Sequence, residues 1–171
     1  MDRPPTTSAG RPLAAGDPGS IRIAVAGHPF CTGLTTEHVA AMAQGASERL
    51  LAAGDLVIRH GWVADALHLL VEGDVALEMS EPGYDPITLE TLHGGDPIGW
   101  SWLYPPSTWA FDARCLSPVT LLSIDGAHLR RLIDDDAVLG RELALRIGRV
   151  VAERLQFARA QLLDIHHHDH R

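Results

Sequence analysis

From Ser47 to Met79 the chain is cut into short apolar segments by glycine-bearing turns. Glu48-Arg49-Leu50-Leu51 ends at Ala53-Gly54-Asp55, Leu56-Val57-Ile58-Arg59 at His60-Gly61, and Ala66-Leu67-His68-Leu69-Leu70-Val71 at Glu72-Gly73-Asp74, where Val75-Ala76-Leu77-Glu78-Met79 begins. Strands at this spacing, with turn residues between them, predict a β-sandwich or β-roll. Glu81-Pro82-Gly83-Tyr84-Asp85-Pro86 is a hairpin tip, Ile87, Leu89 and Leu92 alternate as a further strand, and Val119 to Ile124 is a last apolar one.

The flanks are different in texture. Residues 1–20 are rich in Pro, Gly, Ser, Thr and Ala without periodicity, which predicts a flexible leader. Ile21 to Ala26 reads as a short strand or a segment lying against the domain, and His28-Pro29-Phe30 as a turn that delivers Phe30 inward. Thr35 or Thr36 caps a helix with Val39, Met42 and Ala43 on one face. Ala127 to Ile165 is helical in two pieces, broken at Asp134-Asp135-Asp136.

In the second piece Val151, Leu155, Ala158, Leu162 and Ile165 repeat with the spacing of a heptad seam, continued upstream by Gly148 and Ala144. A parallel helix pair in a homodimer is the preferred reading. A single helix packed on its own β domain accounts for Leu143, Ile147 and Val150 equally well. The domain bounds that follow are a roll with its N-terminal helix over 28–126, dimerisation helices over 127–165 and a His-rich tail over 166–171.

Between strand and helix lies Gly94 to Arg114, with Trp100, Trp102 and Trp109 in a frame of glycines and prolines. The glycines and Asp96-Pro97 shape a turn where backbone can approach a ligand, yet the filling is apolar. That combination marks Gly94 to Arg114 as the candidate binding loop.

Composition excludes several classes. A formal charge of −8 works against a free-standing nucleic-acid binder. Two cysteines, Cys31 and Cys115, are too few for a disulfide framework or a zinc motif and fit a reducing cytoplasm. No apolar run reaches the length of a signal core or a membrane span, so no membrane partner is expected. Neither a nucleophilic triad, a P-loop nor a carboxylate pair marks an enzyme.

The order of elements resembles the cyclic-nucleotide-binding domain of the catabolite activator protein and fumarate–nitrate regulator superfamily, over about His28 to Ile165. The residues that carry the resemblance are Ala53-Gly54-Asp55, His60-Gly61 with Ala64-Asp65, Leu69 to Val75, Gly94-Gly95-Asp96-Pro97-Ile98-Gly99, and Arg154-Leu155. The fold it implies is mainly β with flanking helices, a jelly-roll-like β-roll followed by a long C-terminal helix. In that family the cassette loop binds a cyclic nucleotide through a Gly-Glu pair, which holds the ribose, and an arginine about ten residues on, which pairs with the phosphate.

Here Gly99 keeps the glycine, while Trp100 stands at the glutamate position and Trp109 at the arginine position. Arg114, five residues further, falls where relatives often carry a second arginine on the next strand, so the ligand pocket that the resemblance implies is Gly99, Trp100, Ser101, Trp102, Trp109 and Arg114. A buried phosphodiester facing Trp109 loses a charge-assisted pair of roughly 1.5–3 kcal/mol and keeps its desolvation cost. The resemblance therefore implies a stand-alone regulatory module in which a cyclic nucleotide is possible but disfavoured and no cofactor is certain. The tryptophans either fill the pocket or form a face for another ligand or a protein partner.

The resemblance also implies a helix-turn-helix domain after the long helix in family transcription factors. This sequence reaches only Ile165-His166-His167-His168-Asp169-His170-Arg171 there, so direct DNA binding is not expected and the signal passes to a separate, unidentified protein. The histidine tail has metal-ligating side chains, and the preferred reading is a solvated tail with no metal. His93, beside the cassette, could ligate a haem iron as in haem-sensing relatives, against a plain hydrogen-bonded role.

Overall fold

The computed structural model describes residues 17–80 and 83–168, with side chains described as far as residue 160. The helices are α1 (Pro18–Gly27), α2 (Thr36–Ala43), α3 (Gly126–Asp135) and α4 (Ala137–His168), with a 3₁₀ turn at Pro29–Cys31. Eight strands lie between them: β1 (Ala46–Leu51), β2 (Leu56–Ile58), β3 (Ala66–Glu72), β4 (Val75–Met79), β5 (Ile87–Leu92), β6 (Pro97–Ile98), β7 (Asp112–Cys115) and β8 (Val119–Asp125). They form two antiparallel sheets, ordered β1-β8-β3-β6 and β2-β7-β4-β5, which together make the β-roll that the strand spacing predicts.

Neighbouring residues of a strand point to opposite faces. In β8 both Leu121 and Leu122 are buried, and in β3 both Leu69 and Leu70. The β1-β8-β3-β6 sheet is thus covered twice, by the second sheet on its inner face and by helices on its outer face. The turn from β3 to β4 depends on Gly73, held at φ 94, where an added Cβ would lie 2.9 Å from Val119 Cγ2.

Each helix begins on a side chain that accepts a backbone N–H. Thr35 Oγ1 accepts from His38 at 3.1 Å and Asp125 Oδ1 from His128 at 2.6 Å. Asp136 Oδ1 accepts from Val138 and Leu139 at 2.9 and 3.0 Å, which makes the aspartate run the boundary between α3 and α4.

Ile21 to Ala26, expected as a strand or a resting segment, is helical. Asp17 accepts from Ser20, Pro18 occupies the first helical position, and Ile21 and Val25 bury one turn apart. The Asp-Pro-Gly-Ser run that reads as a loop is therefore a helix start. β1 begins at Ala46, two residues before the expected Glu48. Residues 1–16 lie outside the described part.

Candidate functional site

The short strand β6 pairs with β3, His68 opposite Ile98 and Leu69 opposite Pro97, and delivers the chain to Gly99. Gly99 is held at φ 85, a conformation that L side chains avoid. An added Cβ there would lie 2.7 Å from Cη2 of Trp109, so the indole rests directly on the glycine. The far end of the cassette is fixed by backbone: Trp109 donates to Trp62 at 2.9 Å, Gly61 donates to Trp109 at 2.9 Å and Ala64 donates to Ser107 at 2.7 Å. The remaining space between Gly99, Ser101 and Trp109 is about 20 Å³, room for one water and not for a phosphodiester.

The three cassette tryptophans have separate fates. Trp102 is fully buried beneath the start of α3, where its Cβ would contact a side chain on Gly126, and its carbonyl accepts from Arg130 Nη1 at 2.6 Å. Trp109 is buried, with the edge of its six-membered ring against Gly99 and its ring centre 6.0 Å from that of His68. Trp100 is half-buried and faces α4. Two of the three thus fill the roll, and the third lines a groove.

Arg154 of α4 closes the groove from above. Its guanidinium lies 4.9 Å from the centre of the Trp100 ring, its Nη2 donates to the Pro97 carbonyl at 2.7 Å, and its Nε pairs with Glu90 Oε2 at 3.2 Å. Burial holds the Glu90 carboxyl above its ordinary value, with the neighbouring guanidinium offsetting only part of the rise. Between this cluster and Leu77, Leu89, Phe111 and Phe157 lies a cavity of about 290 Å³. In the sequence Arg154 stands out only as one of the residues that carry the resemblance. The available signal was a cation one position before the seam residue Leu155, on a helix whose neighbouring turns are apolar.

Arg114 is not brought to the cassette, which corrects its place in the expected pocket. It is on β7, where its Nε donates to Glu78 Oε2 at 3.0 Å and its Nη1 to the Gly54 carbonyl at 3.2 Å. Strand alternation turns it toward the neighbouring carboxylate. Of the expected seam, Val151 is half-buried while Leu155 and Ala158 are exposed, and the side chains of Leu162 and Ile165 lie outside the described residues. Leu143 and Ile147 are buried against the chain's own roll.

A second cavity, of about 270 Å³, lies beyond Trp109 between the sheets. His68 Nδ1 and Ser123 Oγ meet there at 2.8 Å, and burial, with the Arg49 charge second, lowers the imidazole to about 3. Arg49 Nη2 is buried with no hydrogen-bond partner. Sequence reasoning placed these residues only as strand members.

The remaining candidates have ordinary partners. His93 Nδ1 lies 2.6 Å from Asp74 Oδ1 at the surface. Burial raises both Cys31 and Cys115 to about 11. Among the described residues no group of three His, Cys, Asp or Glu side chains converges on a metal position, and the side chains of the His-rich tail lie outside them. Among the described residues no helix is long and apolar enough to cross a membrane.

A β-roll with a glycine-led cassette and a long helix closing over it is the architecture of a cyclic nucleotide-binding domain. The sequence profile of the cyclic nucleotide-binding domain matches residues 48–136, and the chain belongs to that family. Among solved structures it is similar to a protein from Geobacter metallireducens GS-15 assigned as cyclic nucleotide-binding, at 28% identity and TM-score 0.69, over 82% of this chain and 98% of that one. Two more share the fold. The Thermus thermophilus catabolite activator protein matches at 24% identity and TM-score 0.64, over 80% of this chain and 62% of that one. The regulatory subunit of a cAMP-independent protein kinase A from Trypanosoma brucei matches at 16% identity and TM-score 0.69, over 85% of this chain and 51% of that one. No curated protein matches the chain.

Proposed function

We propose that this chain is a non-enzymatic, cytoplasmic regulatory module that keeps the cyclic nucleotide-binding fold without binding a cyclic nucleotide in the family's manner. The observation that carries this reading is the Trp109 indole on Gly99, which fills the seat a cyclic phosphate would need. Opening that seat would expel a buried tryptophan; Arg114 is committed to Glu78, and the guanidinium that does border the seat, Arg154, is already paired with Glu90. The Trypanosoma relative, the regulatory subunit of a cAMP-independent protein kinase A, is a precedent for the fold serving regulation of a cAMP-independent protein.

The ligand in this reading is a small, mostly apolar molecule in the groove between Trp100 and α4, with one polar group directed to Glu90 and Arg154. Its occupancy shifts the Trp100–Arg154–Glu90 cluster and with it the set of α4, biasing one arrangement of the helix over another. The α4 face that borders the groove, with Val151, Leu155, Phe157 and Ala158, passes the change on. Leu155 is 51% exposed and Phe157 48%, which suits a homodimer through Val151, Leu155, Ala158, Leu162 and Ile165 and a separate protein that reads the dimer. A second reading is favoured by the Arg154 guanidinium itself: an anionic nucleotide that displaces Glu90 and takes the cation, as a genuine cyclic-nucleotide sensor would.

Titration of cAMP and cGMP into the full chain, followed by calorimetry and tryptophan fluorescence, separates the two. The proposed reading expects no saturable signal. Binding at micromolar concentration that is lost in Arg154→Met establishes the second reading in its place.

A further inference from the structure

The cavity beyond Trp109 is separate from the cassette groove and is built from different strands. Ser47 pairs with Ser123 and Ser123 with His68, so these three form one row across β1, β8 and β3, and Arg49 follows Ser47 on the same face of β1. That face points between the sheets, as the burial of Leu51, next in the same alternation, requires. A guanidinium has been carried to the inner side of a β-roll, where its Nη2 is enclosed and makes no hydrogen bond. Buried donors in native proteins nearly always have a partner, and while Nη2 itself is shut off from solvent, the Arg49 side chain lines a cavity of about 270 Å³ in which a ligand, met by a turn of the guanidinium, would supply one.

The lining defines that ligand's chemistry. Arg49 offers the forked donors that match a carboxylate. Val57, Trp62 and Trp109 supply apolar walls, and His68, neutral throughout the ordinary pH range, adds no charge. Of the other charged groups, Arg59 is stacked at the rim on Trp62, 5.5 Å from the ring centre, and Asp125 caps α3. Asp65 is exposed at the rim and already favours the Arg49 charge. The two arginines and two aspartates of the lining sum to zero, so a single negative charge set on Arg49 is opposed less than a phosphate dianion.

We propose that this cavity binds a small monocarboxylate with an aromatic or branched apolar body, its carboxylate on Arg49 and its body against Trp62, Val57 and Trp109. Such a ligand touches the same indole whose ring edge closes on Gly99, so occupancy here holds the cassette in its closed form. The inference is independent of the reading of the groove: cAMP binding over Arg154 would overturn that reading and leave this one standing.

The test is calorimetric titration of benzoate and phenylacetate into the full chain, with benzamide and inorganic phosphate as the neutral and dianionic controls. The carboxylates are expected to saturate at millimolar concentration or below, at least tenfold more tightly than either control. Arg49→Met is expected to abolish that binding while melting no lower than the unsubstituted protein, because it removes an unpartnered buried donor. Indole signals in nuclear magnetic resonance give a second readout on the unsubstituted chain: benzoate should move those of Trp62 and Trp109 and leave that of Trp100 in place. Equal binding of benzamide, undiminished binding by Arg49→Met, absence of saturation with either carboxylate, or movement of the Trp100 signal alone would each overturn the proposal.

Discussion

Arg154 lies with its guanidinium 4.9 Å from the centre of the Trp100 ring, so the cation reaching the cassette comes from the long helix and not from the cassette itself. The same side chain ties three elements together: α4, the Pro97 carbonyl at β6 and the Glu90 carboxylate on β5. A change in the groove cannot leave α4 where it was without breaking one of these contacts.

Replacing Arg154 with Met removes the ion pair and leaves the Glu90 carboxylate, only 25% exposed, without its cation. The expected loss is about 2 kcal/mol, below the value for a fully buried pair because water still reaches the site. Adding Glu90→Gln should recover at least half of it. Urea denaturation of the two variants measures both numbers, and an unchanged stability in Arg154→Met would show the cluster to be loose.

Gly99→Ala places a Cβ against the Trp109 ring, 2.7 Å from Cη2, at a backbone φ of 85. Steric overlap and left-handed strain together should cost about 2–4 kcal/mol. Trp109→Leu in the same chain relieves the overlap and not the strain, so the two substitutions should be less than additive. Thermal denaturation of the four-member cycle reads the coupling.

His68 has its imidazole lowered by burial from 6.5 to about 3, so between those values the unfolded chain binds a proton that the folded one does not. Stability therefore falls as pH drops below about 6.5, by about 1.4 kcal/mol per unit once the unfolded histidine is protonated, and this loss levels off near 3. His28, lowered mainly by burial and bonded to the Leu70 carbonyl at 3.0 Å, adds in the same direction. Urea midpoints measured from pH 7 to 4 should decline less steeply in His68→Gln. Equal slopes would contradict the assignment.

Both thiols are buried, and burial pushes each up to about 11. Cys31 and Cys115 should therefore react with a disulfide reagent only as fast as the protein opens. Reaction within seconds in native buffer would place one of them at an exposed, mobile edge.

The fold was legible because its signals are local. Glycine turns set the strand ends, and Asp136 marks the start of α4 through hydrogen bonds that short aspartate side chains form routinely. The α1 helix was hidden because Asp17-Pro18-Gly19 carries the same residues as a loop, and only burial of Ile21 and Val25 distinguishes the two. The identity of the cassette could be read from Gly99 and its neighbours, but the contact between Gly99 and Trp109 depends on a backbone torsion and a loop closure that spacing does not specify. Arg114 was misplaced because strand parity, not distance along the chain, decides which way it points. The Arg49–His68 cavity was masked by its own alternation, since a charged residue and a histidine in half-buried strands ordinarily face water. The parity shared by Arg49 and the apolar Leu51 was the signal available.

The account stands most directly on whether Trp109 closes the cassette. The indole resonance of Trp109, assigned by its loss in Trp109→Phe, should stay in place as cAMP is added at millimolar concentration, because the ring already occupies the phosphate seat. A saturable shift of that resonance would show the indole giving way to the nucleotide, and the cassette would then be a working cyclic-nucleotide site.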